Sequence, residues 1–489
     1  MNKYIFYIQN VFAFLNKNWK ELSYSLIITL VFFGAFSRMN YTTDTYADIA
    51  GSFSDISGNF LGAGRFFACA LYVLYKIGIN IYIVYSISFI LAILAIALSI
   101  FVLGRYICVY ISKKKKLLPY ILATVLVINP FTIELLFYFE KGVMASAILF
   151  AILGAITLHQ YTKQKTKSKL LISFIFTLLS CCSYQGIVGL YIILSTLFIL
   201  LDKNTNTKII KKLSPCILIY LSAIVINLLL SKLINGSTKG GVSNINFLAT
   251  LGALGKGIGK MLSLYNIVPA IIIYSLLVLV FISYLRKKKQ EKSFFIDLVL
   301  LAILIVSVAI LPYMSQSPDS IWFVPRSSWP FAAGVATLII FICGQVDAKR
   351  KTLNMATFSC CLILLLELFS FNQIIIDHYQ MNAIDKETIV QIGERITEFE
   401  DANNTKITNV AVVRDSNISY VYPNQKSVGD AQVMAMATNW SDVNAINYYT
   451  DRDMRSIQVD EKNEFCKDSD KLSLDIVFIE QDTLVICKH

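Results

Sequence analysis

The sequence predicts an α-helical polytopic membrane protein, with about eleven spans, that ends in a small, water-exposed α/β domain. Of its 489 residues, 56% are hydrophobic and only 16% are charged, and the mean hydropathy is +0.61. Apolar runs of about 20 residues, the length that crosses a bilayer as a helix, recur between short lysine-rich loops. Acidic residues are instead concentrated near the C-terminus. Together these observations exclude an ordinary soluble globular protein.

Charge divides the chain into a basic part, residues 1–376, and an acidic tail, residues 377–489. The first part contains 33 basic and 12 acidic residues, whereas the tail contains 11 basic and 20 acidic residues. A basic excess in short loops is what keeps such loops in the cytoplasm. The net charge of +12 therefore needs no nucleic-acid partner, and we expect none. We interpret 1–376 as a membrane domain and 377–489 as a second domain.

Eleven apolar runs predict the membrane-spanning helices. They lie at about 21–38, 82–104, 117–138, 142–160, 170–184, 186–201, 213–233, 266–285, 294–312, 329–345 and 354–376. The fifth and sixth are short for a span. The first is followed by Arg38 and a polar loop without a small-residue cleavage site, so we expect it to remain as a span and not to be removed as a signal peptide.

The basic loops predict the orientation of the spans. Clusters of Lys and Arg, such as those at 113–116 and 286–289, alternate along the chain with loops that contain few. This alternation places the N-terminus in the cytoplasm and, with an odd number of spans, the acidic tail outside. Three longer loops then face outward: 39–81, with an amphipathic segment at 66–75, the glycine-rich 233–265, and 312–328.

The tail has the pattern of a small α/β domain. We expect helices near 383–402 and 443–449, and strands near 407–413, 474–479 and 483–487. His378 and His489 are expected to be ordinary surface residues. Cys466 and Cys487 are able to form a disulfide if the tail lies in an oxidising compartment, or they remain as thiols.

Few carboxylates are expected on the outer side of the membrane domain. They are Asp44, Asp48, Asp55, Glu140 and Asp319. Charges near a membrane are costly to hold, which makes these five the first candidates for chemistry. Asp44 and Asp48 are four residues apart, so a helical turn places both on one face. A carboxylate there can take the proton of an attacking sugar hydroxyl. The alternative is a solvated loop in which Asp48 caps a helix.

Cationic side chains in the outward loops are candidates for binding a phosphate. An arginine can bind a phosphate with two parallel hydrogen bonds, and Arg65 and Arg326 are placed for this role. Arg326 is equally able to extend towards lipid headgroups. Lys141 follows Glu140 in a tight turn, where the two either face a ligand or pair with each other.

A polar break, Ser183-Tyr184-Gln185-Gly186, separates two apolar runs at the expected outer surface. It is either a simple turn or a source of hydrogen bonds to a sugar, because phenol and amide groups can both donate and accept.

In their order along the chain these features resemble the bacterial serotype-converting glucosyltransferases of the Gtr type, within the GT-C superfamily of polytopic glycosyltransferases. The resemblance covers most of the membrane part. It rests on the loop with Asp44, Asp48 and Gly64-Arg65, the Glu140-Lys141 turn, the Ser183-Tyr184-Gln185 break, and the loop that contains Arg326.

The resemblance implies a GT-C-like enzyme of the bacterial cytoplasmic membrane. Such an enzyme takes a sugar, typically glucose, from an undecaprenyl-phosphate-linked donor at the outer face of that membrane. Its acceptor is a surface polysaccharide such as O-antigen, whose modification changes the serotype.

The resemblance and the charge argument together assign roles to eight residues. Asp44, and after it Asp48, is expected to be the catalytic base. The donor phosphate is expected to contact Arg65, Arg326 and Lys141, and the sugar or acceptor is expected to contact Glu140, Tyr184 and Gln185.

Two other functions are compatible with the same sequence. A polymerase or ligase of surface polysaccharide would also have many spans and outward arginines. A flippase or transporter would carry charged or broken helices near the bilayer midplane, where Glu367 is the clearest ionisable residue. Asp44 and Asp48 alone make a poor site for a divalent cation, so we expect no metal and no other cofactor.

Overall fold

The computed structural model describes residues 16–50, 53–111, 117–202, 209–235, 247–263, 292–313, 324–345, 350–414, 421–422, 424–457, 474–480 and 483–488, with isolated positions between 271 and 282. The chain forms two compact units. The helical unit comprises residues 1–38, 57–136 and 140–372, and the sheet unit comprises residues 39–56, 137–139 and 373–489.

The described helices are α1 (Trp19–Phe33), α2 (Thr43–Ala50), α3 (Phe53–Gly62), α4 (Phe66–Lys76), α5 (Ile81–Ile107), α6 (Leu118–Val127), α7 (Thr132–Leu135), α8 (Lys141–Gln164), α9 (Lys167–Ser183), α10 (Gln185–Leu201), α11 (Ile209–Asn235), α12 (Phe247–Ser263), α13 (Lys292–Ile310), α14 (Trp329–Gln345), α15 (Arg350–Asn403) and α16 (Asp442–Thr450). The strands are β1 (Asn409–Arg414), β2 (Arg455–Ser456), β3 (Leu474–Glu480) and β4 (Thr483–Lys488).

Within the described residues, seven helices are long and apolar enough to cross a membrane. They are Trp19–Ser37, Ile81–Ile107, Lys141–Gln164, Lys211–Ile234, Phe294–Tyr313, Pro325–Gln345 and Leu353–Asn403. Three further expected spans correspond to the shorter helices α6, α9 and α10, and the span expected at 266–285 lies mostly outside the described residues. The chain is therefore a helical membrane protein, and the expected count of eleven spans is not confirmed.

Helix α10 is enclosed by other helices of the helical unit. Every residue from Ile187 to Leu201 is buried, and the helix packs against α8, α9, α11, α13 and α14. A helix that is apolar on all sides must be covered by protein or lipid, and here other helices of the protein supply the cover. Its first residues are therefore held in place from several directions, which matters because they lie in the candidate site.

The expected third span, 117–138, is broken in the structure. Helix α6 ends at Val127, and the short α7 begins at Thr132. Pro130 lies between them, and a proline cannot donate the backbone hydrogen bond that would continue the helix. Thr132 Oγ1 instead donates to the Val127 carbonyl at 2.8 Å, and Asn129 Oδ1 accepts from Phe131 N at 2.9 Å. The break therefore places Glu134 on a separate short helix, α7, and not on a continuation of α6.

Two expectations about helices need correction. The span expected at 354–376 and the tail helix expected at 383–402 are one continuous helix, α15. The polar residues between them interrupt the apolar pattern but not the backbone, because α15 contains no proline. The loop expected at 233–265 contains a helix, α12, despite its glycines.

The sheet unit contains a four-stranded sheet in the order β2-β1-β4-β3. Strand β1 pairs in parallel with β2 and with β4, from Asn409 opposite Thr483 to Arg414 opposite Lys488. Strands β3 and β4 form an antiparallel hairpin. Residues 458–473, which include Cys466, lie outside the described part of the chain, as do His489 and the side chain of Cys487.

The core of the sheet unit joins segments that are distant in sequence. Buried side chains of α15, β1 and α16 pack together, and Tyr46 of α2 belongs to the same cluster. Three isoleucines of α15 at helical spacing, Ile389, Ile392 and Ile396, supply one wall. The start of the loop expected at 39–81 is therefore folded into the unit that holds the C-terminal residues.

His378 is not a surface residue, contrary to the expectation. It is 1% exposed, and its ring centroid lies 4.3 Å from that of Phe137. His378 lies three residues before the buried Met381 and seven before the buried Asp385, so it shares the buried face of α15. A lone histidine in a polar segment gives no sequence signal for this position.

Candidate active site

A buried ion pair joins α7 to the turn before α14. Pro325–Ser328 forms one 3₁₀ turn, and Arg326 in it donates to both oxygens of Glu134. Its backbone N–H lies 2.6 Å from Glu134 Oε2, and Nη1 lies 2.7 Å from Oε1. The Glu134 side chain is fully buried and that of Arg326 nearly so. A buried charge is stable only when it is paired and hydrogen-bonded, and this carboxylate compensates the guanidinium.

Arg65 lies over the ring of Tyr184 in the same unit. Its Cζ atom is 4.9 Å from the ring centroid, a distance at which a cation is attracted to the ring face. Tyr184 is the one extended residue between α9 and α10, so the predicted polar break is confirmed. The Tyr184 hydroxyl lies 3.4 Å from Ser327 Oγ, which brings Arg65, Tyr184 and the Arg326 turn together.

Gly186 allows this close approach. A Cβ atom at position 186 would lie 2.7 Å from the Tyr184 ring and 3.0 Å from the Arg326 carbonyl oxygen. Both distances are below ordinary van der Waals contact, so a larger residue would separate α10 from the turn.

Three side chains hold the backbone turn that carries Arg65. Asn227 Nδ2 donates to the Gly64 carbonyl at 2.9 Å, and Ser231 Oγ donates to the Leu61 carbonyl at 2.6 Å. Gln185 Nε2 donates to the Ala63 carbonyl and to Asn227 Oδ1 at 3.1 Å. These bonds tie the turn to α10 and α11, and they engage the Gln185 amide that the sequence suggested for sugar binding.

Gly64 is required by the shape of this turn. Its φ of +69° is a conformation that residues with a Cβ atom rarely adopt, and a Cβ there would overlap Asn227 Oδ1. The resulting fixed turn directs Arg65 to the Tyr184 ring.

Glu140 and Lys141 begin α8 inside the helical unit. Lys141 is fully buried, donates to the Tyr85 hydroxyl, and lies over the rings of Tyr85 and Phe36 at 3.9 and 5.4 Å. Glu140 is 4% exposed. A phosphate could reach this ammonium only by displacing the surrounding rings.

The two candidate carboxylates Asp44 and Asp48 lie on α2 in the sheet unit, and the helical turn expected for them is present. Thr42 Oγ1 accepts from Thr45 N at 3.3 Å and caps the helix start. Asp44 is in the first turn and half-buried, whereas Asp48 is in the last turn and 8% exposed. The alternative of Asp48 as a helix cap is therefore wrong.

Less can be said of the remaining outward carboxylates and of a metal site. The side chains of Asp55 and Asp319 lie outside the described residues. Within the described residues, no group of three or more His, Cys, Asp or Glu side chains could hold a metal ion.

No strong sequence signal identifies the partner of Arg326 or the residues that hold the Arg65 turn. Glu134 is 192 residues from Arg326 and was expected in the interior of a span. Asn227 and Ser231 are polar residues of α11 spaced one turn apart, which was a weak signal, because buried polar groups in a span need partners.

The fold and this group of residues define a polytopic membrane protein with two arginines at helix starts, of which Arg326 has a carboxylate partner and Arg65 has none among the described residues. The profile of the Glucosyl transferase GtrII family matches residues 33–343. The chain belongs to this glucosyltransferase family, and the match confirms the resemblance to the Gtr type seen in the sequence. Among the curated proteins compared, none matches the chain.

The Glu134–Arg326 pair gives a first prediction. Glu134→Gln leaves a buried guanidinium without its counter-charge and should lower the free energy of unfolding by about 3–5 kcal/mol. The measurement is denaturation of the purified chain in detergent. Glu394→Gln, at an exposed position of α15, is the matched control and should change little. The double variant Glu134→Gln/Arg326→Gln should recover part of the loss, and losses that simply add would contradict the pairing.

The Gly64 turn gives a second prediction. Gly64→Ala forces a Cβ into a left-handed conformation, at a cost of about 1–2 kcal/mol before the overlap with Asn227 is counted. The thermal unfolding midpoint in detergent should fall. Gly252→Ala is the control, because Gly252 lies in α12 with open space around it, and alanine is the better helix former. Equal midpoints for the two variants would show that the turn is not constrained.

Proposed function

We propose that the protein transfers glucose from a polyprenyl-phosphate-linked donor, such as undecaprenyl phosphate glucose, to a surface polysaccharide such as O-antigen. The reaction takes place at the outer face of the bacterial cytoplasmic membrane. Membership of the glucosyltransferase family supports the transferred sugar, and the state of Arg65 supports the lipid-phosphate donor.

The charge environment of Arg65 is the observation that best supports the proposal. No Asp or Glu side chain of the described residues pairs with it, and its buried Nε atom has no hydrogen-bond partner among them. Its backbone turn is nevertheless fixed by Asn227 and Ser231. A guanidinium that is held in place but not compensated is suited to bind an anion that arrives with the substrate.

Arg326 has a different charge environment. Because Glu134 compensates its charge, Arg326 adds less to the attraction of an anion than Arg65 does. We assign Arg65 as the first ligand of the donor phosphate and Arg326 as the second. Lys141 is the third candidate ligand of the phosphate, because aromatic rings enclose its ammonium group.

The reaction needs one base and one anion ligand. A hydroxyl oxygen of the acceptor attacks C1 of the glucose and loses its proton to a carboxylate, which we assign to Asp44 and, after it, to Asp48. The bond between C1 and the phosphate oxygen breaks, and its electron pair stays on the phosphate that Arg65 stabilises. The products are the glucosylated polysaccharide and polyprenyl phosphate. Asp44 precedes Asp48 in this assignment because it is the more exposed of the two.

The two substrates explain the location. The donor has a long lipid chain and remains in the bilayer, whereas the acceptor is hydrophilic and cannot enter it. The two meet only at the interface. The seven long apolar helices of the described residues are suited to lie in that bilayer.

Tyr184, Gln185 and Glu140 were expected to contact the sugar or the acceptor. We now propose that Tyr184 and Gln185 act chiefly by holding Arg65, because the ring and the amide are engaged there. Glu140 is buried at the start of α8. Contact with the acceptor then requires side chains elsewhere.

A prediction separates the base from the phosphate ligand. In cells with an intact lipid-linked glucose supply, Asp44→Asn should reduce glucosylation of the surface polysaccharide about 100-fold or more, as for loss of a general base. Arg65→Gln should also reduce glucosylation, because it raises the KM for the donor, which is measured in membranes from those cells. Glucosylation itself is measured by mass spectrometry and linkage NMR of the polysaccharide.

Two controls accompany this test. Asp451→Asn changes an exposed aspartate at a φ of 53°, which asparagine adopts readily, and should have no effect. Arg455→Gln changes an exposed arginine of β2 and should also have none. A polysaccharide of altered chain length but unchanged glucose content would favour a polymerase. A polysaccharide that the wild-type protein leaves unmodified would refute the proposed reaction.

A further inference from the structure

The sheet unit contains a cluster of four tyrosines that the reaction described above does not use. Tyr41 and Tyr46 come from the first part of the chain, and Tyr448 and Tyr449 come from the end of α16. We call these four residues the tyrosine cluster.

The four rings are in mutual contact. Tyr41 stacks on Tyr46 with centroids 5.4 Å apart and planes 10° apart, and Tyr448 and Tyr449 meet edge to face at 5.1 Å. The hydroxyls are paired across the cluster: that of Tyr41 lies 2.9 Å from that of Tyr448, and that of Tyr46 lies 3.1 Å from that of Tyr449.

The cluster has a closed side and an open side. Tyr46 is 1% exposed and belongs to the core of the unit, and burial, followed by the neighbouring Tyr449, raises its pKa well above the usual range. Tyr41, Tyr448 and Tyr449 are only half-buried at the rim of that core. The exposed Lys386 lies 6.0 Å from the Tyr449 ring and adds a cationic donor at the rim.

Tyr41 is anchored at the open side. Tyr41 N donates to Asn382 Oδ1 and the Tyr41 carbonyl accepts from Asn382 Nδ2, both at 2.9 Å, so the backbone of Tyr41 is fixed from α15. A site whose side chains are already ordered loses little conformational entropy on binding.

The position of the cluster relative to Asp44 indicates an occupant. Asp44, the assigned base, lies three residues after Tyr41 and two before Tyr46. Tyr46 and Asp44 are both in α2, whose contacts with α16 bring Tyr448 and Tyr449 to the same helix. One rim tyrosine, Tyr41, and the assigned base therefore lie on the same short segment of chain, residues 41–46.

We propose that Tyr41, Tyr448 and Tyr449 form the binding platform for the acceptor polysaccharide, with a pyranose ring stacked on the open side of the tyrosine cluster. This inference rests on the proposed function, because only a glycosyltransferase needs an acceptor glycan beside its base. The C–H groups of a pyranose face pack on an aromatic ring, while its hydroxyls bond to phenol oxygens and to Lys386. Tyrosine supplies this apolar face and polar edge together.

The first test measures binding of the acceptor without donor. The probe is the delipidated surface polysaccharide from cells that lack the protein, titrated into the full-length chain in nanodiscs. Tyr448→Leu and Tyr449→Leu should each weaken binding about tenfold, because they lose the ring and keep apolar volume. Tyr448→Phe should keep binding within about threefold, as expected if ring stacking supplies most of the energy. Tyr82→Leu, at a 56% exposed tyrosine of α5, is the matched control and should bind as wild type.

The second measurement uses the wild type, so that unfolding of a variant cannot hide the result. In hydroxyl-radical footprinting read by mass spectrometry, the same polysaccharide should reduce oxidation of Tyr41, Tyr448 and Tyr449 and leave that of Tyr82 unchanged. Absence of protection at all three rim tyrosines would overturn the proposal.

Kinetics separate this inference from the proposed function. If transfer occurs, Tyr448→Leu should raise the acceptor KM about tenfold and leave the donor KM and kcat nearly unchanged. If the wild type binds polysaccharide through these tyrosines but transfers no glucose, the proposed reaction fails and the platform stands. Transfer by the wild type with an unchanged acceptor KM in both leucine variants would refute the platform alone.

Discussion

The buried pair of Glu134 and Arg326 is the interaction on which the candidate site depends. It requires the helix break at Pro130, because a continuous third span would carry Glu134 elsewhere. Through Arg326 it fixes the 3₁₀ turn before α14, and Gly186 lets the start of α10 approach that turn. This approach places Tyr184 beside the turn, and Arg65 lies over the Tyr184 ring. A charge pair inside an apolar bundle is costly to assemble, so its presence here is best explained by the geometry that it imposes.

That geometry gives two arginines different roles. Arg326 carries a charge that the protein itself compensates, so it organises the surrounding turns. Arg65 carries a charge for which the described residues offer an aromatic face but no carboxylate. The turn that precedes it is held by Asn227 and Ser231, which donate to the Gly64 and Leu61 carbonyls. An anionic ligand would complete the environment of Arg65, and the proposed donor supplies one as its lipid-linked phosphate.

Much of the helical unit could be predicted from the sequence, and much of the site could not. Apolar runs locate α5, α8 and α14 because burial in lipid or protein requires them, and the polar break at Tyr184 is visible for the same reason. The Glu134–Arg326 contact joins positions 192 residues apart, and no local pattern encodes it. The continuity of α15 was missed because apolar periodicity reports burial and not backbone hydrogen bonding. The position of α2 in the sheet unit was missed because it depends on long-range contacts, such as that between Tyr46 and Tyr449, which are 403 residues apart.

Donor choice by the purified protein tests most directly whether a lipid phosphate carries the transferred sugar, as we propose. The chain in liposomes would be offered radiolabelled undecaprenyl phosphate glucose or radiolabelled UDP-glucose, each with delipidated surface polysaccharide. The proposed function predicts that label enters the polysaccharide only from the lipid donor, with release of an equal amount of undecaprenyl phosphate. Incorporation from UDP-glucose without any lipid carrier would contradict it.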